Sequence, residues 1–362
     1  MIVRVFGLSI AITIISLIVA FFYGGTEALV LCAILGVLEV SLSFDNAVIN
    51  ATILERMSEF WQKIFLTIGI LIAVFGMRLV FPLAIIWATA GLGPVDAFDL
   101  ALNPPADGAS HFADGAPSYE TLITDAHPQI AAFGGMFLLM LFLDFIFEER
   151  DITWLSWIEK PLARAGKLDQ LSVVVASLAL VFAAELLAVD DKRGTVLMSG
   201  LLGLITYITV NGLGSMFHPE GHTGPSNAAK ATGKAGFFLF LYLEVLDASF
   251  SFDGVIGAFA ITADPIIIAL GLGFIGAMFV RSITVYLVRK GTLGEYVFLE
   301  HGAHWAIGAL AVILLITVGT IHVPEVVTGL IGVALILLAY ATSVIRNKRN
   351  PDALEERELA DA

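Results

Sequence analysis

Two short stretches, Leu38-Glu39-Val40-Ser41-Leu42-Ser43-Phe44-Asp45-Asn46 and Leu246-Asp247-Ala248-Ser249-Phe250-Ser251-Phe252-Asp253-Gly254, align without a gap. They share leucine, an acid, two serines, phenylalanine and aspartate in register. Each sets two carboxylates and several hydroxyls inside an otherwise apolar run, and Glu244 adds a further acid just before the second copy. Oxygen donors without thiolates or clustered imidazoles suit hard divalent cations, Mn²⁺, Mg²⁺ or Ca²⁺, better than Zn²⁺ or Cu⁺. The next apolar run after each copy carries an arginine, Arg78 and then Arg281. A charge at the centre of a bilayer costs at least ~2.5–3.5 kcal/mol, so these groups must pair, take up a proton, bind a cation or line water. The plainer account is that Arg78 and Arg281 neutralise Asp45 and Asp253 as buried ion pairs. Two arginines cannot balance Glu39, Asp45, Asp247, Asp253 and Glu244 together, and the surplus calls for a proton or a metal ion.

Helix geometry restricts how the acids can cooperate. Residues six apart lie roughly 120° from one another around an ideal helix. Glu39 and Asp45 therefore leave different faces, whereas Glu39, Ser43 and Asn46 share one. Asp247 and Asp253 diverge in the same way, while Glu244 and Asp247 align. Aiming both acids of a copy at one point requires the helix to unwind near Ser43–Asn46 and Ser251–Gly254, where small polar residues permit it. The alternative is a different partner for each acid.

The elements that must position these groups are apolar helices. The chain is 58% hydrophobic and 14% charged, with mean hydropathy +0.90, too little charge to cover a water-soluble fold of 362 residues. Apolar blocks of ~20 residues match the thickness of a bilayer core. An all-α, polytopic helix bundle of about ten spans follows: Val5–Tyr23, Ala28–Asn50, Ile64–Thr89, Ile130–Phe147, Leu171–Val189, Thr195–Leu213, Gly236–Ile261, Ile266–Val288, Ala303–Thr320 and Val326–Ile345. With five spans between the copies, they cross in opposite directions, an inverted-topology repeat of the kind found in secondary transporters. The first block, after Arg4, lacks a small-x-small cleavage site and reads as a retained helix. Residues 1–193 form the first membrane half, 194–346 the second, and 347–362 a charged tail.

Alternate loops collect the basic residues: Arg56 and Lys63, then Arg150 to Lys167, then Lys230 and Lys234, then Arg289 and Lys290. Lys and Arg resist translocation, which places those loops and both termini in the cytoplasm of a bacterial inner membrane. Only Lys192 and Arg193 break the pattern. The loop 91–129 has no lysine or arginine and reads as a flexible acidic connector outside the cell, or as a weak cation-collecting vestibule. Gly214–Lys234 reads as a linker whose Pro219 and Gly221 make a helical metal site from His218 and His222 improbable. The net charge of -14 without a basic stripe excludes a nucleic-acid partner. The lipid bilayer and a metal ion are the expected partners. Cys32, alone, excludes an intrachain disulfide and reads as a small buried apolar residue.

Other intramembrane polar groups leave alternatives open. Asp144 and Glu185 suit either site lining or local pairing. Glu300, His301 and His304 suit a helix start or a proton relay, and they do not spell His-Glu-x-x-His. No nucleophile–base pair and no Walker motif stand out, so neither an enzyme nor an ATP-driven pump is expected, and no resident cofactor.

At these residues the chain resembles the TerC family of bacterial membrane proteins, within the LysE-type transporter group. The family pattern of Glu, two residues, Leu, two residues and Asp-Asn stands at Glu39, Leu42, Asp45 and Asn46. A second block, Asp-led and ending Phe259-Ala260-Ile261-Thr262-Ala263-Asp264-Pro265, follows Asp253, with Arg281 in the next span. The family's Asp-Ser-x-Pro-Ala is altered here to Asp253-Gly254-Val255-Ile256-Gly257. The acidic loop and extra spans mark a divergent branch, one that could be catalogued only as a domain of unknown function. The resemblance implies metal-ion homeostasis, chiefly manganese export, and a link to tellurite resistance. By position it implies Glu39, Asp45, Asn46, Asp247 and Asp253 as ion ligands; from the residues themselves, Ser43, Ser251, Glu244, Arg78, Arg281 and Asp144 are expected to support them. A membrane scaffold in envelope or tellurite stress, moving no ion, is the alternative from another class.

Overall fold

The structure is a computed structural model. It describes residues 2–42, 44–69, 92–105, 109–216, 230–259, 264–290 and 296–349, with isolated positions at 71, 72, 76, 80, 83, 87, 261 and 262. Regular structure among them is helical: α1 (Ile2–Leu42), α2 (Phe44–Glu55), α3 (Glu59–Ile64), α4 (Pro94–Leu102), α5 (Tyr119–Phe147), α6 (Ser156–Ala165), α7 (Leu171–Phe182), α8 (Arg193–Met216), α9 (Gly233–Phe259), α10 (Pro265–Ile268), α11 (Ala277–Lys290), α12 (Leu299–Ile316) and α13 (Glu325–Arg349). Wide π-helical turns continue α3 over Phe65–Gly69 and α7 over Ala183–Leu187, and join α10 to α11 over Ala269–Gly276. Among the described residues, six helical stretches are long and apolar enough to cross a membrane: Val5–Val40, Tyr119–Phe147, Asp190–Leu213, Ile266–Val288, Leu299–Ile316 and Val327–Arg349. Their outer faces carry side chains such as Phe22, Met198 and Leu330 that are mostly exposed, as lipid-facing positions should be.

α1 covers the first expected span and the second as far as Leu42, and it is not one straight rod. Gly24 (φ -139, ψ 24) and Gly25 (φ 70, ψ -151) leave helical geometry, and Gly25 holds a backbone region open to glycine almost alone. On the first leg, Ser282 Oγ donates to Val5 O (3.0 Å) and Ser9 Oγ to Met278 O (2.7 Å), so the chain climbs as α11 descends. On the second leg, Cys32, Gly36 and Glu39 meet Gly271, Ile275 and Gly276 in turn, so both advance together. The legs are antiparallel, reversed at the two glycines.

A second antiparallel pair brings the two motif copies together. The end of α2 is pinned to the start of α9, where Ala231 N–H donates to Arg56 O (2.8 Å) and Ser58 N–H to Ala231 O (3.0 Å). Farther back on α2, Asn46 reaches Asp247 of α9. Advancing along α9 therefore means retreating along α2. Around this pair α5 packs on α8, α9 and α12, with Ile49, Leu54, Phe137, Met140, Leu243 and Leu246 almost wholly buried between them.

The loop 91–129 departs from a plain flexible connector. Pro94 opens α4, whose Ala97 and Ala101 are buried. The fourth span begins at Tyr119, ahead of the expected Ile130, because Ser118 caps it by accepting the Thr121 N–H (3.1 Å). Tyr119, Ile123 and Ala126 give that first stretch a buried apolar face, masked in the sequence by Glu120 and Asp125 on the other side. At the fifth expected span the apolar helix runs only from Leu171 to Leu187 and is not among the six long enough to cross. Much of the third, with Arg78, lies outside the described residues, as do His218 and His222.

Candidate functional site

Two of the motif acids are buried beside helix midpoints. Ile266–Val288 has Ala277 at its midpoint and α9 has Leu246. Glu39 and Asp247 sit beside those midpoints, 2% and 6% exposed. Glu39 lies flat on Gly276, where a Cβ would fall 2.0 Å from Glu39 Cγ. Glycine is required there because the α1 second leg approaches too closely for any side chain.

Asn46 joins the copies. Its Nδ2 donates to Asp247 Oδ1 at 2.7 Å, across 201 residues of sequence, and both side chains are buried. At the position matching Asn46 in the second copy stands Gly254, which has no side chain to return the contact. Asn50, one turn along α2, is 3% exposed, and its Oδ1 has no hydrogen-bond partner among the described residues. Glu244 precedes Asp247 by one turn and is likewise buried. Neither of its carboxylate oxygens has a hydrogen-bond partner among the described residues, and Oε1 lies against Gly69, where a Cβ would come within 2.7 Å. Two carboxyl groups one turn apart in so dry a place repel each other when both are ionised, which favours a proton or a cation between them.

Arg281 faces this region from α11, but its Nε donates to Leu66 O (3.0 Å) in the π-helical turn after α3. Part of its donor capacity is spent on backbone. Thr284 Oγ1 fastens α11 to α2 through Ala47 O (3.3 Å).

The expected unwinding is corrected in the second copy. α9 runs as one helix from Gly233 to Phe259, so its backbone does not unwind at Ser251–Gly254. An unbroken helix satisfies its own backbone polar groups, which lipid cannot do. In the first copy α1 ends at Leu42 and α2 begins at Phe44. Ser43 and Arg78 lie outside the described residues, and so do the side chains of Asp45, Ser251 and Asp253, whose backbones belong to α2 and α9. Among the described residues no three His, Cys, Asp or Glu side chains converge as a metal cluster. Glu39, Asn46, Glu244 and Asp247 are the ligand candidates the structure places.

Other candidates resolve into local roles. Glu185 is an exposed partner of Arg193 (3.5 Å), and Asp190 holds the same arginine at 2.8 Å, which neutralises the one basic residue that broke the charge pattern in company with Lys192. Asp144 has no bond to either motif copy among the described residues and accepts a hydrogen bond from Tyr207 OH (2.8 Å). His304 stacks on Phe145 at 3.7 Å, and its Nδ1 meets Glu300 O within the helix.

Sequence reasoning missed Glu159, 4% exposed on α6. It accepts from the Trp154 and Leu155 N–H groups (2.9 and 3.2 Å) and from Trp305 Nε1 (3.1 Å), with His301 Nδ1 at 3.1 Å. Ser156-x-x-Glu159 is a capping-box pattern that could have signalled it. Burial alone would raise this carboxyl's pKa, yet the bonds from His301, Trp305 and Leu155 outweigh it and hold it below the usual range near ~4.3. A carboxyl depressed in the folded state stabilises the fold above its unfolded pKa, and that contribution is lost as pH falls through the folded pKa. Glu159→Ala should cost about 3 kcal/mol at neutral pH, and thermal unfolding from pH 7 to 3 should show Glu159→Gln with a flatter acid limb than the parent protein. Parallel acid limbs would exclude this carboxyl as the titrating group.

No curated protein and no solved structure shows a significant match to the chain. A family model does, over residues 44–350, a stretch that takes in Asp45, Asn46, Glu244, Asp247, Asp253 and Arg281 and stops short of Glu39. With most of its length matched, the chain belongs to the family described as protein of unknown function DUF475.

Proposed function

We propose that the chain is a TerC-like membrane transporter that exports a divalent metal cation through a midplane site shared by the two motif copies. Manganese is the first choice of substrate, with magnesium and calcium as alternatives, since the placed donors are carboxylate and amide oxygens. The observation that carries this reading is the Asn46–Asp247 hydrogen bond of 2.7 Å, which ties one copy to the other beside Glu244 at mid-depth. The antiparallel course of α2 and α9 at that bond supports an inverted repeat within a ten-span bundle, with the halves 1–193 and 194–346 moving about the shared site. The basic loops support cytoplasmic termini in a bacterial inner membrane. Asp45, Asp253 and Glu39 would complete the ligand set, with Ser43 and Ser251 beside them.

Cell metal content tests the reading. Cells expressing the protein should hold less manganese than cells without it under a manganese load, with smaller differences under magnesium or calcium. Equal contents of all three metals would leave the scaffold as the better account.

A further inference from the structure

A second polar space lies where α2, α5 and α8 end and α9 and α12 begin. It is a cavity of about 360 Å³, within the range of small-molecule sites, and too polar to be dry. Its mouth carries Arg56 and Glu148, 64% and 63% exposed, and its wall includes Thr52, Asp144, Tyr207 and Tyr242.

Charge in the cavity is sorted. Arg150 is bound to Glu148, and Arg56 stands 3.7 Å from Glu300. Asp144, deeper in, has the Tyr207 hydroxyl as its partner and no cationic side chain among the described residues. His304, stacked on Phe145, closes one side. One carboxylate is thus left to set the sign of the field inside a low-dielectric wall, which concentrates cations.

The cavity also points at the motif pair. Ile49, Thr52, Ile53 and Arg56 line it at the spacing of one helix face, and one turn back on that face stands Asn46. On α9, Tyr242 precedes Asp247 by fewer than two turns. Ile49, Leu243 and Leu246, all but fully buried, fill the intervening turn.

We infer that this cavity is the water-filled inner mouth of the carrier and that Asp144 is its cation-receiving group, one apolar turn short of the shared site. The inference rests on the transport reading for its purpose, but its water access and its charge preference can be tested without transport. The single cysteine, Cys32, is buried, so a Cys32→Ser background carrying Thr52→Cys offers one thiol in the cavity wall. Cationic and anionic methanethiosulfonates of similar size are applied to inside-out and right-side-out vesicles, with manganese flux recorded in parallel. The inference predicts fast labelling from the side bearing Arg56 alone, a cationic preference that falls several-fold in Asp144→Asn, and flux blocked by labelling. A thiol unreactive from both sides while manganese flux persists would overturn the mouth. A cation preference unchanged in Asp144→Asn would overturn the role of that carboxylate. Fast, cation-selective labelling in a protein without flux would uphold the mouth and count against the transport reading.

Discussion

Manganese export from loaded vesicles should fall by more than about a hundredfold in Asp247→Asn, with the protein still folded and in the membrane. The size follows from comparison: residues that merely support a metal ligand cost ~10–100-fold when changed, and a ligand should cost more. Folding survives because asparagine keeps an oxygen where Asp247 Oδ1 now accepts from Asn46 Nδ2 at 2.7 Å. The substitution removes charge and little else. Glu244→Gln should weaken export as well, since it relieves the repulsion that calls for a cation between these two carboxyls. If both variants export normally, the acids of α9 are structural.

The second large effect concerns contact. Gly276→Ala puts a methyl group 2.0 Å from Glu39 Cγ and 2.7 Å from its Cβ, so α1 and the π-helical turn ahead of α11 must part or the glutamate must leave. Overpacking of this kind costs typically ~1–3 kcal/mol, and export should be lost along with it. Glu39→Gly combined with Gly276→Ala removes the clashing atoms and should restore most of the thermal stability without restoring export. That split is the useful readout. A double variant as unstable as Gly276→Ala would mean that the helices do not approach at this pair.

The parts of the fold legible beforehand were those written in the local pattern. Apolar length announced the spans around Ile266–Val288 and Val327–Arg349, and the paired Leu-acid-Ser-Ser-Phe-Asp signature pointed to α2 and α9. Asn46 was singled out by its face, and it makes the link between copies. Three-dimensional facts stayed hidden. Nothing in Gly276 taken alone says that a glutamate rests on it. Glu159 escaped notice, because its partners Trp305 and His301 come from far along the chain. Helix geometry left two courses open at Ser251–Gly254, an unwound helix that aims both acids at one point or a separate partner for each acid; α9 stays intact there and Asn46 of one copy meets Asp247 of the other. Asp144 lay open between two roles, and the sequence held no sign that Thr52, Tyr207 and Tyr242 would line a cavity beside it.

Titration of Mn²⁺ into the purified protein tests the shared site most directly, because binding is read without flux, coupling or orientation. The parent protein should take up one ion per chain, with affinity weakened by more than about tenfold in both Glu39→Gln and Asp247→Asn, one variant from each motif copy. Undiminished binding in either variant would contradict a site built from both.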